Sequence, residues 1–174
     1  IIRFTTSGNG YSQAGGTVDS STVSGQTIIS WTATSGTLTF TPTSTFDVQY
    51  LILGGGGSGA SFYWAGGGGA GGLLQGTGKS VTAQAYTIVV GAGGAVQSTS
   101  NAAGNTGSDS SALGLTSLGG GGGGTNGAGG NDGGSGGGSG GDSIGQAAGQ
   151  GGSTDITPAN VQVGSRFEET DTRK

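Results

Sequence analysis

Residues 119–141 read GGGGGGTNGAGGNDGGSGGGSGG, and the architecture of the chain depends on what this glycine tract does. Glycine occupies positions 121, 124, 127, 130, 133 and 136, so one phase with a period of three holds only glycine until Ser139 breaks it. A flexible linker has no reason to keep that period, whereas a left-handed threefold helix turns every third residue to one side. Glycine on that side lets neighbouring helices pack backbone to backbone and exchange hydrogen bonds. We therefore predict ordered polyglycine-II helices, with a flexible linker as the alternative.

The composition excludes several classes of enzyme, metal-binding protein and nucleic-acid-binding protein. Of 174 residues, 46 are Gly and none is Cys, His or Met, and the formal net charge is −4. Without Cys or His there is no disulfide framework, no usual zinc site and no Ser-His-Asp catalysis. An acidic chain has no basic surface for nucleic acid, and no apolar run is long enough for membrane insertion. We expect a non-enzymatic protein with no catalytic residue, cofactor or metal ion.

The residues around the glycine tract have the alternating pattern of β-strands. Residues 46–50 alternate apolar and polar side chains and continue into Leu51-Ile52-Leu53, which predicts a strand whose end is buried on both faces. Pro42 indicates a sheet edge or a bend. We expect an all-β fold without substantial α-helix, in which a sandwich-like strand scaffold carries a bundle of polyglycine-II helices. Strands are predicted over residues 1–4, 26–31, 37–41, 46–53, 82–90 and 112–118, with a last one beginning at 161.

Three motifs match the glycine-rich sequence, but none of the matches indicates a functional site. Gly78-Lys79-Ser80 resembles the end of a phosphate-binding loop, but the required earlier glycine is replaced by Leu73. Residues 133–137 and 137–141 fit G-x-S-x-G, but the chain has no His to activate a serine. Residues 137–145 fit a single calcium-binding nonapeptide, and such sites need stacked repeats that the neighbouring residues do not supply.

The aromatic run Phe62-Tyr63-Trp64 is the most informative feature outside the glycines. It lies between two glycine blocks, 54–57 and 66–69. One interpretation is that the aromatics cover the ends of the glycine helices. The other is an exposed tip that binds sugar faces or a protein surface, because Tyr and Trp give a large contact area at a low entropy cost.

The order of blocks along the chain resembles the glycine-rich domain of bacteriophage tail-fibre and adhesin proteins. The blocks that carry the resemblance are FDVQYLILGGGG (46–57), GGGGAGG (66–72), YTIVVGAGG (86–94), GSDSS (107–111) and the tract from Gly119. Residues 1–4 resemble a strand that closes a preceding unit. Residues 163–171 resemble the opening of a small β module of phage structural proteins, so we expect a piece of a longer chain.

The resemblance implies a β scaffold that supports separate receptor-binding loops. It implies that the segments between glycine blocks contact the host receptor, and these are residues 58–65, 95–106, 125–132 and 146–150. Only the first is rich in aromatics, which departs from a dedicated receptor tip. The expected domains are a β-rich scaffold (1–53), a glycine-rich polyglycine-II domain (54–153) and the start of a further β module (154–174).

Two functions from different classes follow as expectations. The first is a virion surface or tail-fibre domain that contributes to host-surface attachment, with Phe62, Tyr63 and Trp64 as receptor contacts. Its partner would be a host cell-surface receptor, protein or glycan, or copies of itself in a homo-oligomer or larger fibre, with no nucleic acid and no membrane insertion. The alternative is a structural subunit of a virion or extracellular filament, assembled through terminal β-strands. Ice binding is a weaker third interpretation, because regular Thr or Ala arrays are missing.

Overall fold

The computed structural model describes residues 1–61, 64–141 and 149. This part of the chain contains ten strands and no helix, which confirms the all-β class. Their bounds are β1 Ile2–Thr5, β2 Tyr11–Ala14, β3 Thr17–Asp19, β4 Gln26–Ser30, β5 Leu38–Pro42, β6 Phe46–Leu53, β7 Leu73–Val81, β8 Tyr86–Ile88, β9 Ser110–Ala112 and β10 Leu115–Ser117.

The strands form a sandwich-like scaffold of antiparallel sheets. A five-stranded sheet has the order β3-β4-β1-β6-β7, a three-stranded sheet has the order β2-β5-β8, and β9 and β10 form a hairpin. Phe4 of the larger sheet contacts Phe40 of the smaller one, with ring centroids 5.9 Å apart. Both rings belong to one continuous hydrophobic core. Burying such side chains supplies about 1.5–3 kcal/mol each, so the sheets are stabilised by facing one another.

Most of the alternating segments are strands where the sequence predicted them. The predictions over 1–4, 26–31, 37–41 and 46–53 are confirmed within one or two residues by β1, β4, β5 and β6.

The burial of β6 differs from the expectation at the end of the strand. Burial on both faces is wrong there, because Leu53 is 53% exposed. The alternation in β6 places Phe46 and Val48 on the core side, whereas Asp47 and Gln49 lie on the solvent side. Only one face of β6 is therefore turned towards the core.

The glycine-containing strand β7 is one that the alternating pattern did not predict. It pairs with β6 along most of its length, from Phe46↔Val81 to Leu53↔Leu73. Gly76 and Gly78 lie inside it, and the pairing with β6 holds the strand despite them.

Two further strand predictions are wrong in their extent. Over 82–90 only β8 is a strand, since Gln84 N–H donates to Thr82 O at 2.7 Å in a tight turn before it. The candidate at 112–118 is part of the β9–β10 hairpin, where Leu113 and Gly114 have φ values of 56° and 75°. Two positive φ values are typical of a type I′ turn.

Seven glycine-rich segments, here called the glycine bundle, extend from one end of the scaffold. The chain leaves after β6, β8 and β10 and returns before β7 and β9, so the scaffold sheets take strands from both sides of residue 53. The segments, numbered in chain order within the described residues, are 54–61, 66–72, 91–95, 102–108, 118–124, 128–134 and 135–141. Residues 154–174, with the strand predicted from 161, lie outside the described residues.

The backbone hydrogen bonds between these segments have a period of three. The amides of Gly54, Gly57 and Ala60 donate to carbonyls of the second segment at 2.9, 2.8 and 3.0 Å. The next phase, which includes Gly55 and Ser58, donates to the fourth segment at 2.9 Å in both cases. The first segment therefore bonds to different neighbours through different phases, which is the relation that a threefold helix gives to its side faces.

The fifth segment (118–124) is the centre of the glycine bundle. It exchanges hydrogen bonds with the first, second, fourth, sixth and seventh segments. Gly119–Gly124 are all buried, and a Cβ added at any of the six would come within 3.0 Å of a backbone atom of another segment. Gly67, on the outer side of the second segment, would meet nothing within 4 Å. The central glycines are required because the segment is surrounded by backbone.

The glycine phase quoted from the sequence does not run through one helix. Gly127 has a φ of 79° and lies in a turn that separates the fifth and sixth segments. Ala128 N–H donates to Thr125 O at 3.0 Å and closes that turn. Gly121 and Gly130 therefore share a phase in the sequence while they belong to different segments.

Candidate functional site

The connections between outgoing and returning segments lie together at the end of the glycine bundle that faces away from the scaffold. We call residues 61, 64–65, 95–103 and 125–127 the loop end. Ser61 N–H donates to Ala102 O at 3.1 Å, and the Ser61 hydroxyl donates to Thr99 O, which ties the first connection to the second. Gly66 N–H donates to Gly124 O at 2.8 Å, which places the first connection beside the third.

Trp64 is the one residue of the predicted aromatic site that the structure describes, since Phe62 and Tyr63 lie outside the described residues. Its side chain is 60% exposed. Its carbonyl accepts a hydrogen bond from Gly141 N at 2.7 Å, and a Cβ at Gly141 would lie 3.0–3.3 Å from Trp64 side-chain atoms. The indole thus packs against Gly141 and also presents surface to solvent, so each sequence interpretation, covering or exposed tip, describes part of its environment.

The second connection is held in shape by its own polar side chains. The Gln97 amide donates to Ala103 O at 2.9 Å and accepts from Thr99 N at 3.2 Å. Asn101 has a φ of 56°, in the left-handed region that Asn tolerates better than most residues. These contacts favour one loop conformation over many, which reduces the entropy lost when a ligand binds.

Val96 is a candidate contact residue inside the predicted receptor segment 95–106, although the sequence analysis did not single it out. It is 89% exposed, which is the largest exposure among the large hydrophobic side chains of the described residues. The available signal was a single aliphatic residue in the polar stretch 95–106, which is weak because isolated exposed apolar residues are common.

The loop end carries no side chain that is charged at neutral pH. The charged residues that the structure describes all lie elsewhere: Arg3, Asp19, Asp47, Lys79, Asp109 and Asp132. Asp109 accepts a hydrogen bond from Gly119 N at 2.8 Å, where the central segment begins. The loop end therefore offers aromatic and aliphatic surface with hydroxyl and amide groups, and its chemistry fits binding by contact and neutral hydrogen bonds.

The shifted side-chain pKa values belong to the scaffold. Hydrogen bonds from Thr22 and Ser21 lower the pKa of the Asp19 carboxyl. Hydrogen bonds with the hydroxyl and the amide of Thr82 lower the pKa of Tyr86. Local hydrogen bonds in the turns next to strands β3 and β8 explain both pKa shifts, so neither shift indicates acid–base chemistry.

The other predicted receptor segments contribute unequally to the loop end. Residues 125–127 lie in the turn of the third predicted segment, and the remainder, 128–132, runs back towards the scaffold. Of residues 146–150, only Gly149 is described, and its N–H donates to Gly137 O at 2.8 Å. Among the described residues, the third predicted segment therefore belongs to the loop end only in part.

The rejected motifs have structural explanations where they are described. Gly78-Lys79-Ser80 lies inside β7, with Lys79 opposite Val48 of β6, instead of preceding a helix. Residues 142–145 of the calcium-like nonapeptide lie outside the described residues. Within the described ranges, no three His, Cys, Asp or Glu side chains form a group that could hold a metal ion. The same ranges hold no helix with the length and apolar character of a membrane span.

These features define an all-β, glycine-rich protein in which loops are displayed by backbone-packed segments. The chain belongs to the glycine-rich domain family, whose family model matches residues 32–170. Comparisons with curated proteins and with solved structures give no match. The family match supports the glycine-rich part of the resemblance, and the link to tail fibres and adhesins stays a prediction.

Proposed function

We propose that this chain is a non-enzymatic attachment domain of a virion surface or tail-fibre protein. The scaffold holds the glycine bundle, and the bundle presents its loop end to a receptor, protein or glycan, on a host cell surface. The observation that carries the proposal is the convergence of three connections on one end, where Trp64 and Val96 are exposed. Exposed aromatic residues on a supported surface are typical of binding hot spots.

We also infer that the seven segments are polyglycine-II helices. Two observations support this inference. The hydrogen bonds between segments have a period of three residues, and the neighbouring backbone leaves no room for a Cβ at any of Gly119–Gly124. Amide hydrogen exchange tests this directly. In the second segment, Gly66, Gly69 and Gly72 should exchange slowly because they donate to the central segment at 2.7–2.8 Å, while Gly67 should exchange fast. Uniform exchange along the segment would contradict the assignment.

The attachment proposal is tested by binding of the labelled chain to host cells. Trp64→Ala should weaken binding by about 2 kcal/mol, roughly thirtyfold in Kd, if Trp64 is a hot spot. Val96→Ala should weaken it less, and Val18→Ala is the matched control, because Val18 is also exposed but belongs to β3 in the scaffold. Unchanged binding in both loop-end variants, with unchanged thermal stability, would contradict the proposed site.

The uncharged loop end adds a second measurement. Because none of the described loop-end residues carries a charge, binding through them should be nearly independent of salt, even when the Debye length falls to about 3 Å at 1 M. A steep decrease of affinity with salt would place the contact on another surface.

In the filament alternative, the sheet order limits which strands could pair with a neighbouring subunit. β1 is paired on one side with β4 and on the other with β6, so Ile2 and Arg3 have no free edge. The outer strands of the five-stranded sheet are β3 and β7. Assembly by strand addition to this sheet would therefore use those edges, and sedimentation of a Leu73→Lys variant on β7 distinguishes assembly through the β7 edge from attachment by a monomer. Loss of self-association in that variant would favour the filament.

A further inference from the structure

We propose that Asn126 is a site of spontaneous backbone-assisted deamidation, which places a negative charge on the loop end. Asn126 and Gly127 are the central residues of the turn between the fifth and sixth segments, and both are exposed. Among the described residues, neither the Asn126 side chain nor the Gly127 amide has a hydrogen-bond partner. No bond within this part of the chain therefore restrains the reacting groups, and Gly127 has no side chain to shield its nitrogen.

The reaction needs only solvent water. The backbone nitrogen of Gly127 loses its proton and attacks Cγ of Asn126, which forms a C–N bond and closes a five-membered imide. The side-chain amide nitrogen leaves as ammonia. Water then opens either imide carbonyl, which gives aspartate or isoaspartate with a hydroxyl in place of the lost amino group, and no oxidant or reductant is needed.

A second Asn-Gly pair in the scaffold provides an internal comparison. The Asn9 amide donates to Thr5 O at 2.9 Å, and Asn9 is half-buried. The carbonyl of Gly10 accepts from Thr43 N at 2.9 Å, so the backbone after Asn9 is also held. Because the imide requires the side chain and the following nitrogen to reorient towards each other, these bonds should slow the reaction at Asn9.

The product would change the loop end in two ways. An aspartate has an ordinary pKa of about 3.9, so it would be the first charge among the loop-end residues at neutral pH. An isoaspartate would also add one atom to the main chain of a turn whose closing bond, Ala128 N–H to Thr125 O, is 3.0 Å long. The consequence for attachment rests on the proposed function, whereas the modification itself does not.

The experiment is a time course of the full chain in warm, mildly alkaline buffer, followed by peptide mass mapping. Asn126 should convert at least several-fold faster than Asn9 in the folded chain, and the two rates should approach each other in denaturant. Asn126→Gln is the control, since its imide would need a six-membered ring and should not form at a comparable rate. Equal folded-state rates, faster conversion at Asn9, or no conversion at Asn126 would overturn the proposal.

A binding assay separates the modification from its consequence. Asn126→Asp should weaken host-cell binding several-fold relative to Asn126→Gln, which keeps the site neutral. Equal binding by these variants would overturn the effect on attachment while the mass shift still supports the modification. Failure of the unmodified chain to bind cells would instead overturn the proposed function.

Discussion

The β-scaffold and the glycine bundle exclude water with different parts of the chain. In the scaffold, side chains such as Phe40, Ile29 and Val81 are fully buried, and the sheets are stabilised by the apolar surface they remove from water. In the bundle, the central residues Gly119–Gly124 are buried although they have no side chain. Backbone hydrogen bonds and close contacts between segments take the place of side-chain packing there.

The two regions should therefore respond oppositely to changes in side-chain size. Ordering glycine costs more conformational entropy than ordering any other residue, and each hydrogen bond returns only about 0.5–1.5 kcal/mol net. The bundle therefore depends on many bonds in register, and it is sensitive to added atoms. The scaffold core depends on volume, and it is sensitive to removed atoms.

The largest effect is expected from removing volume in the scaffold. Phe40→Ala should lower the free energy of unfolding by about 4 kcal/mol, because Phe40 is fully buried and contacts Phe4, Tyr11 and Trp31. Chemical denaturation measures the change. Val18→Ala, at an exposed site on β3, is the control and should change stability by less than about 0.5 kcal/mol. Equal losses of unfolding free energy in Phe40→Ala and Val18→Ala would show that the two sheets do not share this core.

The next effect comes from adding one carbon to the bundle. Gly122→Ala should cost about 3 kcal/mol, because its Cβ would overlap the backbone of the fourth segment at Gly104. Gly67→Ala is the matched control. Nothing lies within 4 Å of its Cβ, and less entropy in the unfolded chain should make it neutral or about 0.5 kcal/mol more stable. Similar losses of stability in Gly122→Ala and Gly67→Ala would contradict the idea that glycine is required only where a segment is surrounded by backbone.

The strands could be predicted where the sequence alternates and not where glycine interrupts it. β6 was found over its full length because Phe46, Val48 and Ile52 mark one face. β7 was missed because Gly76 and Gly78 remove the apolar signal, although pairing with β6 still forms the strand. Glycine is needed at position 76 because a Cβ there would lie within 3.0 Å of the Tyr50 side chain.

The site could be predicted only in part. The aromatic run was recognisable as a sequence feature, and Trp64 is indeed exposed, but its contact with Gly141 depends on a segment far along the chain. Val96 gave little signal because its exposure depends on where the third and fourth segments turn. The period of three indicated backbone packing, but it could not show that residues 125–127 form a turn inside that phase.

A smaller effect is expected at a partly buried hydroxyl pair in the scaffold. Thr27 is 2% exposed, and its hydroxyl lies 2.9 Å from that of Thr6. Thr6→Val should cost about 2 kcal/mol, because it leaves the Thr27 hydroxyl buried without its partner. Thr27→Val should cost less, about 1 kcal/mol, since the exposed Thr6 hydroxyl can bond to water. The reverse order in denaturation midpoints would contradict this asymmetry.

The smallest effect should come from Asp19, which caps the turn after β3. Its carboxylate accepts hydrogen bonds from Ser21 N at 2.8 Å and Thr22 N at 3.1 Å, and also from both hydroxyls, which together lower its pKa below the ordinary value of 3.8. A lowered pKa in the folded chain means that this stabilisation is complete above pH 3.8 and is lost as the pH falls towards the folded-state pKa. Asp19→Asn should therefore lower the melting temperature slightly at neutral pH, and the difference from the native chain should shrink in acid. Because the carboxylate lies at the solvent-facing surface, solvent limits the effect, and a difference that grew in acid would contradict the assigned direction.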